Sequence, residues 1–178
     1  MVSITKNCQN QLPISSNRLI ELLEAHNIEY KLFNHEPLFS VNESKSCQNI
    51  IFPNDNNSVH IKNLYLRDKK KQNFLITCEQ DKNIDLKKLK EIIKCERLSF
   101  GSEERLFDFL GVLPGSVSPF CMLNGSRKNV KFICDYGLKK FKIFFLHPFV
   151  NDKTIYLKLN DLEKFLRNHN IQTNWTKL

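Results

Sequence analysis

The segment HIKNLYLRDKKK, residues 60–71, places a lysine inside an otherwise apolar strand pattern. Side chains in a β-strand alternate between two faces, so Lys62 shares one face with Leu64 and Leu66. Its ammonium group either reaches past the leucines to water or lies at the mouth of the core. In the second position it is a fixed positive charge suited to a phosphate or a developing oxyanion. Asn63 lies on the opposite face, as a ligand-binding amide or as an ordinary edge residue.

The segment LPGSVSP, residues 113–119, has the composition of a tight loop. Gly115 lets the backbone turn sharply and approach a ligand without a Cβ in the way. Ser116 and Ser118 add hydroxyl groups, and exposed N–H groups in such a loop can bind an anion or a carbonyl oxygen. The alternative is a connecting turn between a helix and a strand, with no ligand.

His147 ends the apolar part of FFLHPFVN, residues 144–151, just before Pro148. Histidine can transfer protons near neutral pH, although a lone histidine at such a position is more often structural. No spacing typical of a Ser-His-acid triad is present. The chain has no HExxH sequence and no carboxylate cluster suited to a metal ion, so we expect no metal and no cofactor.

The six cysteines form no CxxC pair, and no histidine has zinc-finger spacing from any of them. We therefore expect reduced and mostly buried thiols. A nucleophilic cysteine needs a basic or helix-start environment. Cys121, just after a turn-rich loop, is the only mild candidate.

The 178-residue chain is basic, with a formal net charge of +8. Such a charge suggests a polyanionic partner such as nucleic acid. The alternative is compositional, since 21 lysines and 20 asparagines are also typical of an AT-rich genome. No apolar run approaches the about 20 residues that span a bilayer. The first residues lack the apolar core of a secretory signal, so we expect a cytoplasmic protein without membrane contact.

Capping residues and periodicity predict the elements that hold these segments. Helices are predicted after caps at Ser15, Ser40, Asp85, Ser102 and, as a capping box with Glu163, Asn160. Strands are predicted at 28–33, 61–67, 74–79, 129–134, 141–147 and 154–159. The second and third of these strands form a hairpin around the basic turn DKKKQN.

Hairpin-connected strands with inserted helices favour a single α/β domain of α+β-like character. Its sheet should be mixed, largely antiparallel and wrapped by helices. We expect residues 1–14 to be a loose extension, 15–170 the folded domain and 171–178 a C-terminal tail. The absence of GxGxxG and GxxxxGK[ST] argues against the nucleotide folds that cradle phosphates.

Three segments, KNLYLRDKK, LSFGSEERLFDFLGVLPGSVSPF and LHPFVN, resemble in order and separation the YbaK/prolyl-tRNA-editing superfamily. The chain is most similar there to the freestanding alanyl-tRNA(Pro) deacylases, over roughly residues 16–170. The resemblance implies the family's mixed sheet wrapped by helices. It also implies a trans-editing enzyme that hydrolyses the ester between a mischarged amino acid and the terminal ribose of tRNA. The implied partners are the tRNA acceptor stem and, as a further candidate, prolyl-tRNA synthetase, with the protein acting as a monomer.

The resemblance also implies roles for individual residues. The family's essential lysine falls on Lys62 and its glycine-containing loop on Gly115 and the residues after it, which makes these two the implied catalytic positions. The segment HEPLF, residues 35–39, matches a wall of the amino-acid pocket. The implied substrate-binding residues are Asn63, His147, Ser116, Ser118, Pro37 and Phe39. The implied tRNA-binding residues are Lys69, Lys70 and Lys71, through phosphates.

Two departures from the family affect the substrate. CQNIIFPNDNNSV replaces an LRG…LPG type of stretch before the lysine strand, and Ile61 stands where threonine is common. Alanyl-tRNA(Pro) is the leading hypothesis, with cysteinyl- or seryl-tRNA as an alternative substrate. A non-catalytic module that binds tRNA or a synthetase is a third, from a different class.

Overall fold

The computed structural model describes residues 12–37 and 56–178. Its strands are β1 Tyr30–Asn34, β2 Ser58–Asp68, β3 Asn73–Glu79, β4 Leu98–Phe100, β5 Lys131–Asp135, β6 Ile143–Leu146, β7 Lys153–Lys158 and β8 Asn174–Thr176. Its α-helices are α1 Ser16–Ala25, α2 Leu86–Ile92, α3 Glu103–Leu110, α4 Met122–Gly125 and α5 Leu159–Asn168. Short 3₁₀ turns occupy Pro119–Cys121, Ser126–Lys128 and Tyr136–Lys140.

The strands form one mixed sheet in the order β1-β7-β6-β2-β3-β5-β8, with β4 paired to β2. Four pairs are antiparallel, including the β2–β3 hairpin, and the pairs β2–β6, β3–β5 and β5–β8 are parallel. The predicted mixed, largely antiparallel sheet is therefore confirmed. The segment 171–178, expected to be a tail, instead contributes β8 to the sheet.

Three predicted helix starts are confirmed by their caps. The side chains of Ser15, Asp85 and Ser102 each accept a hydrogen bond from a backbone N–H in the first turn of α1, α2 and α3. The predicted capping box at Asn160 is wrong, because α5 already begins at Leu159 and its N-cap position is Lys158, without a side-chain cap bond. Strand β7 runs directly into the helix, which leaves no loop residue to act as a cap.

The two faces of the sheet pack against different partners. One face carries the main core, in which Phe144 and Leu157 pack with Leu23 of α1 and Phe165 of α5. The other face carries a smaller cluster in which Leu66 packs with Leu89 of α2. Alternation along β2 places Lys62 on this second face.

Some expectations for the first part of the chain lie outside the described residues: the helix after Ser40, the pocket residue Phe39, and Cys8 and Cys47. Leu12 and Ile14, assigned to a loose extension, pack against the main core. Within 12–37 and 56–178, no helix combines the length and the apolar character that crossing a membrane requires.

Candidate active site at one end of the sheet

The middle of β2 and the end of β6 lie side by side. These strands are parallel, and their last pair is His60 with Phe145, whose rings stack at 4.2 Å between centroids. Lys62 lies two residues beyond this last pair along β2, and His147 lies two residues beyond it, just after the end of β6. Two of the residues that the sequence singled out therefore follow the same end of this parallel pair.

Lys62 is half-buried and pairs across the hairpin with Cys78. Burial raises the pKa of the Cys78 thiol to about 11, although the Lys62 ammonium group opposes that rise. Such a shift indicates a poorly hydrated environment, in which a fixed charge acts strongly on a ligand.

Two carboxylates near this position are engaged elsewhere. Asp135 binds Lys82 at 2.7 Å, and Glu79 binds Lys140 at 3.4 Å. No ion pair among the residues that the structure describes includes Lys62. Within residues 12–37 and 56–178, the ammonium group of Lys62 is therefore a charge without an ion-pair partner, as a site for an anion requires.

Asn63 ties the glycine loop to the sheet. Its Nδ2 donates a hydrogen bond to the carbonyl oxygen of Val117 at 2.9 Å. Its Oδ1 accepts a hydrogen bond from the hydroxyl group of Thr77 at 2.6 Å, and Thr77 is fully buried. The loop is therefore anchored to Asn63, the residue next to Lys62. The side chains of Asn63 and Lys62 point to opposite faces of β2.

The loop presents its backbone rather than its serine hydroxyl groups. Gly115 is exposed and has φ +85°, in the left-handed region that glycine adopts without a steric penalty. Ser116 and Ser118 are buried, and the amide of Ser118 donates to Cys121 Sγ at 3.3 Å. The predicted serine hydroxyls thus lie below the loop surface, while the backbone at Gly115 faces outward.

His147 lies between the end of β6 and the start of β7. Its Nδ1 is 3.2 Å from the carbonyl oxygen of Lys153, which can only accept a hydrogen bond, so Nδ1 carries the proton. Burial lowers the pKa of the imidazole, against the opposing effect of that hydrogen bond, and His35 lowers it further. The neutral ring then leaves Nε2 as an acceptor for an ammonium or hydroxyl group.

His60 belongs to the same face. Burial lowers its pKa from 6.5 to about 4, and the neighbouring His147 adds to the shift. At neutral pH both imidazoles are uncharged, so Lys62 is the cation of this group.

The segment HEPLF begins at the same end of the sheet. β1 pairs with β7, and His35 Nε2 is 2.9 Å from the hydroxyl oxygen of Thr154. Pro37 follows as an exposed residue. The predicted pocket wall therefore starts beside His147, while Phe39 lies beyond the described residues.

The turn lysines Lys69, Lys70 and Lys71 lie at the other end of β2, and all three are exposed. Six residues separate Lys62 from Asp68, the end of that strand, which is about 20 Å at ~3.3 Å per residue. These lysines therefore cannot contact the same ligand atom as Lys62.

The four cysteines within residues 12–37 and 56–178 do not form a nucleophilic centre. Cys121 is fully buried, and burial raises the pKa of its thiol to about 12, so it is not the thiolate that a nucleophile requires. Cys78, Cys95 and Cys134 are also free thiols. Across the residues that the structure describes, no group of three His, Cys, Asp or Glu side chains could hold a metal ion.

Sequence reasoning missed Thr77 and Cys78 as neighbours of the Lys62–Asn63 pair. The signal was present in the hairpin: a turn from Asp68 to Gln72 fixes the register. That register pairs Lys62 with Cys78 and Asn63 with Thr77. The contact of Asn63 with Val117 joins residues 54 positions apart and had no local signal.

The sequence matches a known protein family over most of its length. Residues 41–165 match the model described as the aminoacyl-tRNA editing domain. The chain is 35% identical over 150 residues to the prolyl-tRNA editing protein ProX of Acetoanaerobium sticklandii, which covers 84% of this chain and 88% of that protein. It is 28% identical to prolyl-tRNA synthetase associated domain-containing protein 1 of Danio rerio, over 83% of this chain and 79% of that protein.

Solved structures share the fold. A protein proposed to be a trans-editing enzyme for prolyl-tRNA synthetase aligns with a TM-score of 0.64 at 13% identity, over 92% of this chain and 96% of that one. A hypothetical protein aligns with a TM-score of 0.66 at 13% identity, over 89% of this chain and 97% of that one. At such identity these matches establish the fold alone.

Proposed function

Because the chain belongs to the aminoacyl-tRNA editing domain family, we propose that it removes alanine from mischarged alanyl-tRNA(Pro). The family makes the protein a deacylase, a hydrolase that cleaves the ester between an amino acid and tRNA in trans. The substrate amino acid and the residue roles below are our proposal.

The observation that carries the proposal is the position of Lys62. It is a half-buried lysine without an ion pair among the described residues, next to the asparagine that anchors the Gly115 loop. An aminoacyl ester is already reactive, so the protein need only orient a water molecule and stabilise the oxyanion that forms. We assign Lys62 to charge stabilisation and to orientation of the aminoacyl-adenosine end.

The Gly115 loop is assigned to the carbonyl oxygen of the substrate. The exposed backbone of Gly115 can offer its N–H group without a Cβ in the way. The amides of Ser116 and Ser118 already donate within the loop, to Leu113 and Cys121. Both polar atoms of the Asn63 side-chain amide are hydrogen-bonded within the protein, so we assign this residue to holding the loop rather than to contact with the substrate. The buried side chains of Ser116 and Ser118 support the loop from below.

The neutral His147 is assigned to the substrate through its Nε2, which can accept a hydrogen bond from the α-ammonium group or a ribose hydroxyl group. Pro37 and Phe39 are proposed as the wall that admits alanine. Binding alone separates small apolar side chains by only about 1–3 kcal/mol, which is why a second sieve is needed after the synthetase.

Water adds to the ester carbonyl carbon, and the ribose oxygen leaves with a proton, giving free alanine and tRNA(Pro). The acceptor stem is proposed to lie across the basic surface that includes Lys69, Lys70 and Lys71. We further propose a monomer in the cytoplasm, with prolyl-tRNA synthetase as a candidate partner.

A panel of mischarged tRNAs tests the substrate. We expect release of alanine from alanyl-tRNA(Pro) to exceed release of serine from seryl-tRNA(Pro) and of cysteine from cysteinyl-tRNA(Pro). Faster hydrolysis of either competitor would reassign the pocket, and an intact alanyl ester would reject the proposal.

A further inference from the structure

A basic groove lies at the end of the sheet remote from Lys62. It has a volume of about 570 Å³ and is formed by the β2–β3 turn, the segment after α2, the end of α3 and the start of β5. Five of its lining residues are lysines: Lys70, Lys71, Lys94, Lys128 and Lys131. Two are acidic, Asp68 and Glu96, so the lining has a net charge of +3 (five minus two).

The lysines of the groove differ in the contacts that their ammonium groups already make. Lys70 binds Glu96 at 3.1 Å, which compensates one charge. Lys128 and Lys131 extend over the rings of Phe109 and Phe74, with Nζ 5.9 and 5.8 Å from the ring centroids. Each of these ammonium groups therefore lies over an aromatic ring as a cation–π contact, and that of Lys128 also donates to the backbone carbonyl oxygen of Asp108. Both lysines remain exposed.

The floor of the groove is fixed by hydrogen bonds. Gln72 donates from its backbone to Asp68 Oδ1 at 2.9 Å, and from its side chain to the carbonyl oxygen of Asn129 at 2.7 Å. Lys71 adopts φ +69° within this turn, and its amide donates to the carbonyl oxygen of Asp68 at 3.0 Å. The turn is therefore tied to the segment before β5, which gives the lysines a defined spacing.

The distance from Lys62 limits which part of a tRNA can reach the groove. About 20 Å separates Lys62 from the groove end of β2, which is farther than the esterified terminal nucleotide alone extends. If the esterified 3′ end lies at Lys62, the groove meets phosphates farther along the RNA, towards the double-helical acceptor stem.

We infer that this groove is a binding site for the phosphate backbone of duplex RNA, and that Lys94, Lys128 and Lys131 act in it together with Lys70 and Lys71. Lys69 does not line it. The inference rests on the proposed function for the direction of the RNA, while the binding of duplex RNA can be measured without catalysis.

The test uses an RNA hairpin with the acceptor-stem sequence of tRNA(Pro) and the triple variant Lys94→Gln/Lys128→Gln/Lys131→Gln. Removal of three phosphate contacts is expected to lower the slope of log K against log salt by about three and to weaken binding roughly 10-fold to 100-fold at low salt. The control Lys142→Gln/Lys164→Gln/Lys177→Gln removes the same charge from exposed lysines outside the groove and should bind like the wild type. Equal losses in both variants would overturn the inference.

A second measurement excludes a structural effect. An alanylated CCA trinucleotide is too short to reach the groove, so the groove variant should hydrolyse it at the wild-type rate while losing kcat/KM on the alanylated hairpin. A loss of kcat/KM on the trinucleotide as well would overturn the inference. Hairpin binding that depends on the groove in a protein without deacylase activity would uphold the groove and reject the proposed function.

Discussion

The substitution Thr77→Val tests whether Asn63 sets the position of the Gly115 loop. It removes the hydroxyl group that donates to Asn63 Oδ1 at 2.6 Å and nearly preserves the volume of a fully buried side chain. Loss of the bond should cost about 1 kcal/mol, rising to about 3 kcal/mol if the buried oxygen finds no other donor. The freed amide group should then let Val117 and the loop move.

The catalytic effect should exceed the stability effect. A displacement of about 1 Å in a catalytic group can cost roughly 100-fold in rate. Because the loop is assigned to the carbonyl oxygen of the transition state, kcat should fall by about 10-fold to 100-fold while KM changes little. The assay is release of alanine from alanyl-tRNA(Pro), with urea unfolding measured in parallel.

Tyr65→Phe is the matched control. It removes a buried hydroxyl group that donates to Asn73 Oδ1 at 2.8 Å on the same hairpin, away from the loop. Both variants should lose similar stability, but only Thr77→Val should lose kcat. If both keep the wild-type kcat, the role assigned to Asn63 is refuted. In an Asn63→Ala background, Thr77→Val should have little further effect on kcat, since one contact carries both.

Three further predictions follow from single contacts and pKa shifts. Gly115→Ala introduces a Cβ at φ +85°, at a cost of about 1–2 kcal/mol in stability. It should also lower kcat at least roughly 10-fold, because the loop moves. The control Gly111→Ala, at φ +72°, should lose stability without that loss of kcat. Cys121→Ala should retain kcat within about 2-fold, because the thiol is buried with a pKa of about 12; an inactive but folded variant would reopen covalent catalysis. Burial lowers the pKa of His60 from 6.5 to about 4 in the folded protein, so the folded state favours the neutral imidazole. The free energy of unfolding should therefore be unaffected by this group above pH 6.5 and should decrease as the pH falls towards 4, by at most about 3 kcal/mol. Urea unfolding between pH 7.5 and 4.5 should show a weaker pH dependence for His60→Asn than for the wild type, and equal slopes would contradict the shift.

Local signals in the sequence predicted three helix starts and the hairpin. Ser15, Asp85 and Ser102 act as caps because their side chains satisfy amides within their own first turn, which depends on a few neighbouring residues. The β2–β3 hairpin is equally local, and its register follows from its turn. These elements need no information about the rest of the fold.

Contacts between distant segments were beyond such reasoning. β4 and β8 have only three residues each and exist because β2 and β5 offer them backbone partners. The strand order brings β6 beside β2, which no local pattern encodes. Lys62 and His147 were singled out from local strand patterns and received their roles from the resemblance, while the packing of His60 on Phe145 and the anchoring of Val117 required the fold.

The role of Lys62 is tested most directly by the rate at which alanine is released from alanyl-tRNA(Pro) by the wild type and by Lys62→Ala. Lys31→Ala is the control, because Lys31 is an exposed lysine on β1 whose Nζ lies 5.4 Å from the ring centroid of Tyr156, outside the proposed machinery. We predict a loss in kcat/KM of at least roughly 100-fold for Lys62→Ala and a wild-type rate for Lys31→Ala. Equal rates for Lys62→Ala and the wild type would contradict the role of Lys62 as the charge that stabilises the oxyanion.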